Sequence, residues 1–173
     1  MAPMKFSVSP AGGTTAEVVA AAQLAEELGY DAFWVADSHI LRREVYVLLA
    51  AAACATKRIA LGPGVTHPLV RHLTLTASAI AGLDDLAPGR VRLGIGVGDS
   101  GPASMGMRRS TLKELEEAIV ALHALLRGHE AHWQDQTFKL GQKADHEVPV
   151  YVAGASLRTQ EMTGRVADGM MWG

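Results

Sequence analysis

Cysteine is almost missing from this 173-residue chain: Cys54 is the only one, which excludes an internal disulfide framework and fits a reducing compartment. Aromatics are scarce at 5%, because alanine supplies much of the 49% apolar fraction, and this points to closely packed helices and away from a β-sandwich. Neither charge sign dominates, with 16 Lys and Arg against 18 Asp and Glu. Without a basic run the chain does not read as a nucleic-acid binder. Long hydrophobic runs are lacking too. Val45 to Ala55 falls short of the ~20 residues a membrane span needs, and Met1 to Phe6 holds no signal-peptide core. A soluble, cytoplasmic protein without membrane partners is expected.

What is present is enough apolar residue for a sizeable core, with charged residues held to 20%. The chain reads as a single domain over residues 1–173, built from alternating strands and helices. Lys5 to Pro10 reads as a strand with Phe6 and Val8 on one face. Thr14-x-x-Glu17 has the form of a capping box opening a helix that runs to Leu28, with Gly29 at its C-cap. Ala32 to Ala36 is apolar throughout, as in a strand covered on both faces. Helices over 44–56 and 73–86 alternate with strands over 59–61 and 91–95. A second capping box, Thr111-x-x-Glu114, opens a helix closed by Gly128. Residues 149–153 form a fifth strand, 157–166 a helix, and Gly169 to Trp172 a sixth strand. The polar stretch from Glu130 to Glu147 reads as a hairpin or lid, giving an insertion over 129–148. Cys54, in a helical alanine run, is placed in the core.

Strand starts near 5, 32, 59, 91, 149 and 169 imply an α/β fold with parallel strands. A doubly wound dinucleotide fold fits poorly: Gly94-Ile95-Gly96-Val97-Gly98-Asp99 has Asp where a third glycine belongs, and the next helix begins about a dozen residues later. A TIM (β/α)₈ barrel fits better, because polar or glycine clusters follow nearly every strand, where barrels place their sites.

The ordered series Val35-Ala36-Asp37-Ser38-His39, Leu61 to Pro68, Thr76 to Ile80, Leu83 to Arg90, Leu93 to Ser100, Val150 to Ser156 and Gly164 to Gly169 resembles the luciferase-like monooxygenase superfamily. Within it, the series is similar to the methylene-tetrahydromethanopterin reductase branch of deazaflavin-dependent oxidoreductases. The resemblance covers the chain from Lys5 onward. It implies a barrel of which about six βα units are present, since such barrels run to ~250 residues or more. A truncated or fragmentary chain, a homo-oligomer, or a second completing chain is therefore expected.

The resemblance also implies a bound deazaflavin, coenzyme F-420, with FMN as the alternative, and hydride exchange with a small organic substrate. Gly64-Val65 would be a cis peptide at the end of the third strand, pressing on the ring. Asp37 and Thr66 would hold ring and substrate, and His39 or His67 would handle a proton. Gly96, Gly98, Asp99 and Ser100 would leave room for a planar cofactor, and Gly154-Ala155-Ser156 before a helix would cradle a phosphate. Blander roles stay open: Asp37 as a helix cap, His39 as a loop residue, Ser156 as a plain N-cap, and His72 as structural. Two further readings are carried: an inert half-barrel module, and a metal-dependent barrel hydrolase using Asp37, His39 and His67.

Overall fold

The structure, a computed structural model, describes residues 4–171. The expected end of the sixth strand at Trp172 lies outside the described residues. In chain order the elements are β1 (Ser7–Val8), α1 (Thr15–Glu27), β2 (Ala32–Val35), α2 (Val45–Ala55), β3 (Ala60–Pro63), α3 (Leu73–Leu86) and β4 (Leu93–Gly96). There follow α4 (Ser100–Ser104), α5 (Leu112–Leu126), β5 (Ala131–Trp133), β6 (Gln136–Phe138), β7 (Val150–Ala153), α6 (Leu157–Val166) and β8 (Gly169–Met171).

β1, β2 and β3 pair in parallel, as do β4, β7 and β8. Parallel bridges Leu61–Val91 and Thr66–Ile95 join the two sets across β3 and β4. Six parallel strands thus form one arc in chain order, with β1 and β8 as its unpaired edges among the described residues. Among the described residues the arc does not close into a barrel. Its outer face, with Phe33, Val35, Leu61, Leu93, Ile95, Val150 and Val152 all buried, packs on the apolar stripes of the helices. Each such side chain contributes about 1.5–3 kcal/mol. On the other face Trp34 meets Tyr151 edge to face at 5.8 Å.

Local chemistry sets the element ends. Both capping boxes form: Glu17 and Glu114 each accept from the amide and hydroxyl of the threonine three residues earlier. Arg108 beside Glu114 helps hold that carboxyl down to about 2. Arg90 ties the end of α2 to β3 by donating to the Ala53, Thr56 and Ile59 carbonyls and the Thr56 hydroxyl.

Two expectations change. Cys54 is exposed and not in the core, because α2 buries the stripe Val45, Leu48, Leu49, Ala52 and Ala53 and leaves position 54 outside it. The first strand, expected over Lys5 to Pro10, is only Ser7–Val8, and Phe6 just before it is 61% exposed. Over 129–148, where a hairpin or lid is expected, β5 and β6 pair as a hairpin followed by a loop along the outside of α3 and α5, with Ala131 and Trp133 buried, Phe138 against His72 at 4.9 Å, and Asp145 and His146 at Asp84.

Candidate functional site

The site is built where β2, β3 and β4 end. Asp37, two residues past β2, is 6% exposed and accepts a 2.7 Å hydrogen bond from the Thr66 hydroxyl. It therefore does not cap α2; Glu44 does, accepting from the Val47 amide. Thr66 is placed by a bulge. β3 leaves β4 after Leu61 and rejoins it at Thr66, whose amide donates to the Gly94 carbonyl and whose carbonyl accepts from the Gly96 amide. Between these points Gly64 donates to the Val35 carbonyl, and the Gly64–Val65 peptide is cis, the form the resemblance implies.

Glycines make the bulge possible. A Cβ on Gly94 would lie 2.2 Å from the Pro63 carbonyl oxygen, and one on either Gly94 or Gly96 would come within 3.2 Å of a Val65 methyl. The space at Gly96 is thus occupied by Val65 and, at 3.5 Å, by the Ala153 carbonyl.

His67 follows Thr66 and is 4% exposed, with both ring nitrogens buried and unpartnered. Burial pushes its pKa down; Asp37 opposes that shift, while His39 and Arg71 reinforce it. The first turn of α4 lies on the ring: a Cβ at Gly101 would sit 2.6 Å from His67 Nε2 and 3.1 Å from the Asp37 carbonyl oxygen. A 2.7 Å hydroxyl contact between Ser38 and Ser100 holds α4 to the loop after β2.

Four residues not picked out from the sequence complete the surroundings. Arg71 pairs with Glu44 at 2.6 Å, comes within 4.0 Å of Asp37 Oδ1 and stacks on the Tyr46 ring at 4.9 Å. The Tyr46 hydroxyl and Thr76 Oγ1 are buried without hydrogen-bond partners, and burial pushes the Tyr46 pKa up. No local motif announces them, because they stand on or just before the first turns of α2 and α3 and come beside Arg71 and Asp37 only through the βα topology.

The other expected residues separate into groups. His39 is half-buried in the wall of a cavity of about 1060 Å³, which Ser100 also lines. Gly98, at φ +85°, lies under Pro102 and beside His67. The Asp99 side chain is 79% exposed and pairs with Arg109, turning away from Asp37 and His67. Gly154, Ala155 and Ser156 follow β7; Ser156 is the N-cap of α6 and accepts from the Thr159 amide at 3.2 Å. His72 caps α3, accepting from the Thr74 amide. Among the described residues no group of three or more His, Cys, Asp or Glu is arranged to hold a metal ion.

The profile of the luciferase-like monooxygenase family matches residues 1–173. The chain is 34% identical over 157 residues to 5,10-methylenetetrahydromethanopterin reductase of Methanolobus tindarius, covering 87% of this chain and 48% of that protein. It is 34% identical over 173 residues to the F-420-dependent glucose-6-phosphate dehydrogenase of Beutenbergia cavernae, covering 90% and 52%. The chain thus spans about half the length of the curated relatives it matches. The solved F-420-dependent tetrahydromethanopterin reductase of Methanopyrus kandleri superposes with a TM-score of 0.86 at 23% identity, over 98% of this chain and 55% of that one. An F-420-dependent secondary alcohol dehydrogenase holding an F-420–acetone adduct superposes at 0.81 and 24%, over 96% and 58%. At such identities the likeness is one of fold.

Proposed function

Because the chain belongs to the luciferase-like monooxygenase family, we propose that it supplies six units of an eight-stranded (β/α) barrel oxidoreductase that works with coenzyme F-420 on a small organic substrate. FMN is the alternative coenzyme. The observation that carries this reading is the buried Asp37–Thr66 pair beside a buried His67 with two free nitrogens, all at the carboxyl ends of parallel strands. An imidazole buried without partners costs about 1–3 kcal/mol, so a ligand that bonds it is favoured by relief of that cost. A planar ring edged with carbonyl and N–H groups fits this donor set.

When bound, the deazaflavin supplies the two-electron hydride chemistry. The chain's own residues then act as follows. Thr66 donates its proton to Asp37, which leaves the Oγ1 lone pairs free to accept from a ligand N–H. His67, kept neutral by burial, offers one N–H and one bare nitrogen, and the bare nitrogen takes a proton from a substrate hydroxyl. Gly64-Val65 backs the ring, the bare Gly96 lets Val65 pack against β4, Gly98 lets Pro102 and His67 come close, and Ser100 latches α4 to exclude water. His39 stands at the cavity wall, where an incoming substrate would meet it. The α6 N-terminus at Gly154-Ala155-Ser156 receives an anionic group of the coenzyme.

The test is titration of the chain with F-420 and, separately, FMN, following quenching of coenzyme fluorescence. Saturable F-420 binding with a micromolar Kd, about −8 kcal/mol, is expected. Thr66→Val should weaken it about tenfold through loss of one hydrogen bond. Stronger binding of FMN would select the alternative. Absence of any quenching by a cooperatively folded chain would refute coenzyme binding by these six units.

A further inference from the structure

The mouth of the site carries two cations, Arg42 and Arg43, without ion-pair partners among the described residues. The cavity of about 1060 Å³ lies between the loop after β1, with Gly12 and Gly13, and the loop after β2, which contributes His39, Ile40, Leu41, Arg42 and Arg43. Arg71, Arg108, Arg109, Arg127 and Arg165 each pair with a carboxylate. Among the described residues Arg42, Arg43, Arg58, Arg90, Arg92 and Arg158 do not; of these Arg42 and Arg43 line this cavity, and Arg42 donates only to the Pro10 carbonyl, at 3.3 Å. The carboxylate in the same cavity, Glu17, is already engaged by the amide and hydroxyl of Thr14.

The seat is shaped by backbone as well as by charge. Gly12 and Gly13 have φ of +131° and +135°, which favours glycine, and a Cβ on Gly12 would come within 3.3 Å of Arg42 Nη1. Bare backbone therefore lets the guanidinium lie against the loop. The neighbouring Ile40 and Leu41 are 57% and 64% exposed, an apolar pair next to a cationic pair. Ser100 lines the cavity and touches Ser38, the neighbour of Asp37, so the cavity adjoins the proposed reaction site.

We propose that this cavity seats an amphipathic organic anion, whose carboxylate or phosphate is held by Arg42 and Arg43 and whose apolar body rests on Ile40 and Leu41. Guanidinium groups match the planar oxygens of carboxylate or phosphate in two-point hydrogen bonds. The cavity is of the size that takes whole small molecules. The inference rests on the oxidoreductase reading in naming this anion as the substrate. The coenzyme's own anionic groups are the other source of the same chemistry.

The test uses hexanoate and its neutral counterpart hexanamide as probes, read by shifts of the His39 ring protons in NMR titrations of the full chain. Hexanoate should bind about tenfold or more tightly than hexanamide, and the Arg42→Gln/Arg43→Gln double variant should abolish the difference. Arg43→Gln alone, at an exposed position, should remove part of it. Ile40→Ser/Leu41→Ser should weaken hexanoate while leaving inorganic phosphate unchanged. F-420 affinity should survive the double arginine variant. Equal binding of hexanoate and hexanamide overturns the seat. A tenfold loss of F-420 affinity in the double variant overturns the substrate assignment and gives the arginines to the coenzyme. Charge-dependent hexanoate binding by a chain that binds no F-420 sustains the anion seat and sinks the oxidoreductase reading instead.

Discussion

His67 keeps an imidazole out of water with neither nitrogen partnered, and protonation would make that burial costlier still. The groups facing it divide: Asp37 favours the charged ring, while His39 and Arg71 oppose it and burial outweighs them all. The folded ring thus binds its proton less readily than the unfolded one. Stability is greatest above the ordinary imidazole range and declines as pH falls below about 6.5 toward the lowered folded value, by at most about 1.4 kcal/mol per pH unit. His123 is shifted the same way by burial, with Asp168 opposing. Urea unfolding across about pH 7.5 to 5.5 should show stability falling with acid, and His67→Gln should make that fall shallower, with His123 retaining the remainder. An unchanged slope would show that His67 is not held neutral. Asp37, Thr66 and His67 were legible in the sequence because they follow two apolar strands directly. Tyr46 and Arg71 were not, because their role depends on where α2 and α3 begin relative to a neighbouring strand.

Among the elements, α3 and the segment after β6 are bound through one buried carboxylate. Asp84 is 1% exposed and accepts from the amides of Gly89, Asp145 and His146 and from the His146 ring. Burial alone would raise its pKa; the His146 and Gly89 hydrogen bonds overcome that and hold it below the usual carboxylate value. Its contribution persists until pH falls through that lowered value, outside the window in which His67 acts. Asp84→Ala should cost about 3 kcal/mol in thermal or urea unfolding and open the loop over 141–147 to proteolysis. Glu116→Gln, which breaks the surface pair with Arg165, should cost about 0.5 kcal/mol or less and serves as the control. Similar losses in the two variants would deny Asp84 its joining role. The capping boxes of α1 and α5 were legible because both partners lie within four residues. Asp84 gave no such signal, since two of its partner residues lie 61 and 62 residues away. The hairpin tip was equally silent: Gln134 and Asp135 take φ of 48° and 61°, a turn that Asn-Gly usually announces.

Across the whole molecule, the order of strands was legible because a βα repeat admits one simple parallel arrangement, whereas the described residues form an arc without closure. Among the described residues the arc presents β1 and β8 as unpaired edges, and near β1 the side chains of Met4 and Phe6 are 79% and 61% exposed. Unpaired strand edges are templates for further pairing. The concave face tells against simple stacking of two arcs: Lys5, Arg58, Arg90 and Arg92 surround a groove of about 460 Å³ that holds Asp31 as its only carboxylate among the described residues. Repulsion between two such grooves is long-ranged at low ionic strength and is screened within about 8 Å at physiological salt. The chain should therefore associate through its edges, with sedimentation coefficients that rise with protein concentration and rise further when salt is added. Phe6→Lys, which adds a charge beside the β1 edge, should hold the chain nearer to monomer. A sedimentation coefficient independent of concentration and salt would mean that charge and twist already protect both edges, and that an arc of six units persists alone.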